Sequence, residues 1–125
     1  MKLKKLRLQN IRSYDEEEIV FPEGSTLLSG DIGSGKTSIL LAIEYALFGL
    51  QPGQKGSALL ANGKSFGGVI LEFEVDGKNI ILERKLKRTS KSISQDSAAI
   101  TIDGDRTEAS VTEIKTKVLE LLNYP

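Results

Sequence analysis

The spacing of apolar and polar positions changes several times along the chain, and each change marks an element. Residues 3 to 9 alternate, with Leu6 and Leu8 on one side and Lys5, Arg7 and Gln9 on the other, which predicts an edge or half-exposed strand. Its basic face suits either phosphate or water, and lysines on a strand commonly guard against pairing with another chain. Asn10 to Tyr14 interrupt the alternation, the acidic run Asp15-Glu16-Glu17-Glu18 leads into Ile19-Val20-Phe21, and Pro22-Glu23-Gly24 reads as a turn. A hairpin-like pair of strands thus feeds a third, short strand at Ser25 to Ser29. From Ser38 to Phe48 the pattern becomes helical. It is apolar almost all round, with Glu44 the only charge, so this helix must be buried over most of its surface. Gly49 is a good residue to end it.

Beyond an irregular connection at residues 51–56, Ala58-Leu59-Leu60-Ala61 reads as one helical turn ending at Asn62-Gly63. From Gly68 the period is two: Val69, Leu71, Phe73 and Val75 share one face, and Ile70, Glu72 and Glu74 the other. Asp76-Gly77 follows, a strong hairpin signal, and Asn79 to Leu86 form the returning strand. Residues 87 to 96 are polar and read as a mobile loop. Ala98 to Ile102 make a further strand, turned by Asp103-Gly104. Ser110-Val111-Thr112-Glu113 is a capping box opening a last helix, whose apolar stripe is Val111, Ile114, Val118, Leu121 and Leu122.

Composition narrows the chemistry. At 125 residues, 39% hydrophobic and 27% charged, the chain has the size and balance of one soluble domain. Seventeen basic and seventeen acidic residues cancel, so net charge gives no evidence for a nucleic-acid partner, although local clusters still can. With neither cysteine nor histidine, disulfides, histidine-dependent triads and the usual transition-metal ligands are excluded. The N-terminus is basic but lacks the apolar core of a signal peptide, and no apolar run is long enough to span a bilayer, so a cytoplasmic location is expected.

Gly30-Asp31-Ile32-Gly33-Ser34-Gly35-Lys36-Thr37 fits G-x-x-x-x-G-K-[ST] completely, the pattern of a phosphate-binding loop. The glycines let main-chain N–H groups turn inward around a polyphosphate at close range. Lys36, the candidate catalytic residue, would reach the β- and γ-phosphates, Thr37 would offer a hydroxyl to Mg²⁺, and the helix starting there would add the positive end of its dipole. A glycine-rich surface turn before an ordinary helix is the alternative. The order of strand, loop and long apolar helix favours the phosphate site.

The rest of a hydrolytic apparatus is not evident. Glu72 and Glu83 each follow apolar residues, as an acid that holds Mg²⁺ would, yet they flank the Asp-Gly turn, and antiparallel pairing is the simpler account. Leu28-Ser29-Gly30 imitates the signature of transport ATPases, but Gly30 already belongs to the phosphate loop. No Asn-Lys-x-Asp motif is present, which argues against a GTPase. Antiparallel strands after the helix argue against a small-molecule kinase built on a parallel sheet.

Asn10-Ile11-Arg12-Ser13, then Phe21 and Gly24, the phosphate loop, and Ala46-Leu47-Phe48-Gly49 together resemble the start of the SMC-like ATPases of DNA double-strand-break repair, the SbcC and Rad-fifty group of the ABC ATPase class. The likeness is specific over about the first fifty residues. It implies an α/β (α+β) P-loop fold of ABC type: an N-terminal lobe with a mixed or antiparallel sheet and a buried helix after the phosphate loop. It implies ATP and Mg²⁺ as ligands, Gly30, Asp31, Ile32, Gly33, Ser34, Gly35, Lys36, Thr37 and Ser38 around the phosphates, Thr37 on the metal, and Arg12 and Ser13 close to the nucleotide. One departure lies within the motif, since the family commonly has Asn where this chain has Ile32.

In that family the head is completed by a C-terminal lobe beyond a long coiled coil. Two heads close over ATP, and a nuclease subunit and DNA are partners. The glutamine of the Mg²⁺ shell, the signature sequence, the acidic pair and a switch histidine come later in the chain, and Gln51, Gln54 and Gln95 are read as solvent-facing. The basic stretch Arg84, Lys85, Lys87, Arg88 and Lys91 suits DNA phosphates or a solvated loop. Residues 1–125 are therefore expected to form the N-terminal lobe of a longer ATPase, weak or inactive alone, cytoplasmic and nucleoid-associated in a prokaryote. A stand-alone nucleotide-binding regulator is the alternative.

Overall fold

The computed structural model describes residues 2–12, 14–21, 35–50, 59–61, 63–90 and 92–122. Among them six strands, β1 (Lys2–Ile11), β2 (Tyr14–Val20), β3 (Phe66–Val75), β4 (Lys78–Arg88), β5 (Ile93–Ile102) and β6 (Asp105–Ala109), form one antiparallel sheet in the order β2-β1-β3-β4-β5-β6. Helix α1 (Gly35–Phe48) packs on β1, β3 and β4, and helix α2 (Val111–Leu121) packs on β5 and α1.

Period-two patterning is what builds the core. Directly opposed residues of antiparallel strands share a face, so the register Leu6↔Leu71, Leu71↔Leu82, Leu82↔Ile100 lays an apolar row across four strands. Those four side chains are at most 4% exposed and meet Ala42, Tyr45 and Ala46 of α1 and Ile114 and Val118 of α2 in one core. The helix after the motif is buried as its composition predicts: Ile39, Ala42, Tyr45, Ala46 and Leu47 are buried, while Glu44 is exposed. It stops at Gly49, whose φ of +75° is the left-handed conformation and whose N–H donates to the Tyr45 carbonyl at 2.8 Å.

Both Asp-Gly turns form, with φ of 49° and 75° at Asp76 and Gly77 and 48° and 93° at Asp103 and Gly104. The capping half of the expected box forms: Ser110 is the N-cap of α2, and its Oγ accepts from the Glu113 N–H at 3.2 Å.

Four expectations are corrected. β1 is the half-exposed strand of the two alternatives and not an edge, because β2 pairs on one side of it and β3 on the other; among the described strands β2 and β6 are the borders. Residues 87–96 are not a loop. β4 runs to Arg88 and β5 starts at Ile93, with a turn held by the Thr89 N–H donating to the Ser92 carbonyl at 2.7 Å. Lys87, Arg88, Ser92 and Ser94 are exposed, so apolar alternation fades although the ladder continues. Leu59 to Ala61 do not make a helical turn: Leu60 bridges Ile11, the Arg12 N–H donates to the Leu59 carbonyl at 2.7 Å, and the Ala61 N–H donates to the Asn10 carbonyl at 2.9 Å. Arg84 lies on the returning strand as expected, but it is buried and not open to DNA phosphates or solvent, as described below. In addition, β6 has no sequence alternation, is largely exposed, and exists because the Asp103-Gly104 turn delivers it onto β5. No helix among the described residues is long and apolar enough to cross a membrane.

Candidate functional site

Of the candidate residues, Gly35, Lys36, Thr37 and Ser38 form the first turn of α1, and Ser38 is 4% exposed. Ser13, Gly30, Asp31, Ile32, Gly33 and Ser34 lie outside the described residues, as does the expected strand at Ser25 to Ser29. The first turn of a helix leaves main-chain N–H groups without intrahelical partners and carries the positive end of the dipole. No acidic residue stands in the first turn of α1, so the helix does not neutralise that end itself. The local chemistry therefore fits an anion. Arg12 sits at the end of β1 with φ of 53°, its main chain tied to Leu59.

The other end of α1 is held by a residue that its grouping with exposed cations misjudges. Arg84 of β4 is 1% exposed and points among core side chains. Its Nε donates to the Ala46 carbonyl at 2.8 Å and its Nη2 to the Leu47 carbonyl at 3.3 Å, two of the carbonyls a helix leaves open at its C-terminus. Burial pulls the Arg84 pKa below that of an ordinary arginine, and the neighbouring Tyr45 partly opposes this. The next residue adds a second tie, since the Tyr45 hydroxyl donates to the Lys85 carbonyl at 3.1 Å. The signal for Arg84 was in the period: Ile80, Leu82, Arg84 and Leu86 are in phase, which puts the guanidinium on the apolar face.

Lys85, Lys87 and Arg88 remain as exposed cations at the end of β4, and Lys91 lies outside the described residues. Together with Arg7, Phe66 and the acidic Glu16, Glu17, Glu18 and Glu83 they line a groove of about 750 Å³ whose charge is mixed. Arg7 and Lys85 alternate with buried Leu8 and Leu86, so the groove opens on the face of the sheet away from α1. Glu72 and Glu83 belong to that outer face as well. Glu83 pairs with Arg106 at 3.0 Å and Glu72 accepts from the Asn79 side chain at 3.2 Å, which agrees with their reading as hairpin residues.

With this geometry in place the chain can be set beside known proteins. The fold is that of P-loop ATPase heads of ABC type: the structure of the recombination mediator protein RecF-ATPrS in the RecFOR pathway matches 90% of this chain and 29% of its own with a TM-score of 0.65 at 24% identity. The SMC head domain from Thermotoga maritima matches 94% of this chain and 42% of its own, with a TM-score of 0.55 at 25% identity. The chain belongs to the AAA domain family, whose model matches residues 5–124. It is similar to the DNA double-strand break repair Rad50 ATPases of Methanosarcina acetivorans, 35% identical over 98% of this chain, and Thermoplasma acidophilum, 34% identical over 90%. The chain spans about 12% of the length of each of these relatives.

Proposed function

We propose that the chain is the ATP- and Mg²⁺-binding lobe of an SMC-like ATPase head acting in DNA double-strand-break repair. Hydrolysis requires a C-terminal lobe and a second head. The observation that carries this reading is the position of Gly35-Lys36-Thr37: the end of a complete phosphate-loop motif is the uncompensated first turn of a helix sunk in the core. Main-chain N–H groups from Gly30 to Ser38 and the Lys36 ammonium hold the phosphates, and the Thr37 hydroxyl is the group that would hold Mg²⁺, which neutralises phosphate charge when bound. Arg12 and Ser13 stand beside the nucleotide. The partners are the C-terminal lobe of the same ATPase, a second copy of the head, a nuclease subunit, and DNA, with the exposed Lys85 and Lys87 available for its phosphates. The site of action is the cytoplasm, at the nucleoid in a prokaryote.

The test is a calorimetric titration of Mg·ATP into the protein and into Lys36→Ala. Loss of one charge-assisted phosphate contact, on the order of 1.5 to 3 kcal/mol, should weaken binding at least tenfold. Equal affinity of the two proteins overturns the reading. Hydrolysis at an ordinary ATPase rate by residues 1–125 alone overturns the assignment of the missing parts to a C-terminal lobe and second head.

A further inference from the structure

Helix α1 carries Lys36 and Thr37 at one end and is held by Arg84 at the other, and the two ends are about 20 Å apart at a rise of about 1.5 Å per residue. The helix is apolar on nearly every side. Apolar contact is non-directional, so a helix without a distinct polar face is pulled into the core but not told which way to turn or how far to slide along its axis. Its rotation and axial position have to be set by directional bonds.

Three such bonds involve two adjacent residues of β4. Arg84 grips the carbonyls of Ala46 and Leu47, and the Lys85 carbonyl accepts from Tyr45. Arg84 is an improbable choice for mere filling. No carboxylate pairs with it among the described residues, and a buried cation carries a desolvation penalty of several kcal/mol that its bonds to the Ala46 and Leu47 carbonyls must offset. What the guanidinium adds is geometry: a rigid fork that meets two successive helix carbonyls in one orientation only. Gly49 leaves room for it, since a Cβ there would stand 3.1 Å from Arg84 Nη1 and 2.7 Å from Gln95 Oε1.

We propose that Arg84 is a positioning residue for the nucleotide site, fixing the rotation and axial position of α1 against β4 so that the first turn of the helix meets the phosphates correctly. This rests on the nucleotide-binding reading of that turn. Arg84 does not touch nucleotide. It acts through the helix, and small displacements at the phosphates are expensive: a shift of about 1 Å at a binding or reacting group can lose about a hundredfold in rate.

The experiment compares wild type, Arg84→Met, Arg84→Lys and Lys36→Ala in the full-length protein, reading denaturation midpoint and Mg·ATP affinity at a temperature where every variant is folded. Arg84→Met should change the midpoint little, because relief of the buried charge opposes the loss of partners for the Ala46 and Leu47 carbonyls, yet bind Mg·ATP about tenfold or more weakly. Arg84→Lys, with a charge but no fork, should fall between Met and wild type in affinity, and inorganic triphosphate should show the same order. If Arg84→Met binds as wild type does while Lys36→Ala binds weakly, the positioning role is overturned and the nucleotide site stands. If wild type and Lys36→Ala bind alike, the nucleotide site itself falls. Should Arg84→Met not fold, Arg84→Lys decides: wild-type affinity in a folded Lys variant overturns the proposal, and weakened affinity at an unchanged midpoint supports it.

Discussion

The hydroxyl of Tyr45, on the last turn of α1, donates to the main-chain carbonyl of Lys85 on β4 across 3.1 Å, although Tyr45 is only 1% exposed. A tyrosine this deep needs a partner for its hydroxyl, and here the partner is the sheet. Tyr45→Phe keeps the ring packing and removes the bond. It should lower stability by about 0.5 to 1.5 kcal/mol, read as a reduced urea midpoint with an unchanged slope.

Gly49 and Gly77 both have φ of +75°, yet their surroundings differ. A Cβ at Gly77 would meet nothing within 4 Å, whereas at Gly49 it would stand 2.7 Å from Gln95 Oε1 and 3.1 Å from Arg84 Nη1. Gly77→Ala should therefore show only the backbone term, about 1 to 2 kcal/mol. Gly49→Ala should lose clearly more, because Arg84 and Gln95 must move as well. Equal losses in paired denaturation curves would mean that the space above Gly49 does not matter.

Ser110 caps α2 through its Oγ, which accepts from the Glu113 N–H, and its hydroxyl donates to Glu113 Oε1 at 3.2 Å. Ser110→Ala should remove about 1 kcal/mol, within a range of about 0.5 to 2, while Ser110→Asn or Ser110→Asp should restore most of it. Thermal denaturation of the three variants checks the order.

Gln95 Oε1 and Arg84 Nη1, a buried acceptor and a buried donor without hydrogen-bond partners among the described residues, both lie close to the point above Gly49. Gln95→Glu would set a carboxylate beside the buried guanidinium, and that charge should hold the new carboxyl below the usual glutamate pKa. A carboxyl depressed on folding contributes stability above its unfolded pKa of about 4.3 and loses it as pH falls through the lower folded value. The variant should thus exceed wild type in stability at neutral pH, and the gain should vanish on acidification below about pH 4. A gain that grows on acidification would mean the carboxyl is neutral when folded.

Legibility in the sequence followed how strongly each residue's neighbours agreed. Val69 to Val75 alternate cleanly and end in Asp76-Gly77, so β3, its turn and β4 could be read directly. Helix α1 was legible from Ile39 to Phe48 because its length and apolar surface admit little else. The end of β4 and the start of β5 were not, because Lys87, Arg88, Ser92 and Ser94 are exposed and only the ladder makes them strand. Arg84 was misjudged for a different reason. It was grouped with Lys85, Lys87 and Arg88 by charge, although its phase with Leu82 and Leu86 puts it among apolar side chains. At the candidate site, the phosphate motif was visible in the residues themselves, whereas the hold on the far end of its helix depends on strands meeting across the sheet.

The strand order carries a consequence for how the chain reaches this state. Strands β3, β4, β5 and β6 are joined in succession by tight turns and pair as a meander, so each contact closes a small segment and can form early. β1 instead pairs with β3 across everything that includes α1, a long closure that becomes favourable only once its acceptor strand exists. The meander is thus the template and β1 the late arrival, with α1 locked down in the same step. Kinetic φ-values should be high at Leu82 and Ile100 and low at Leu6 and Ala42.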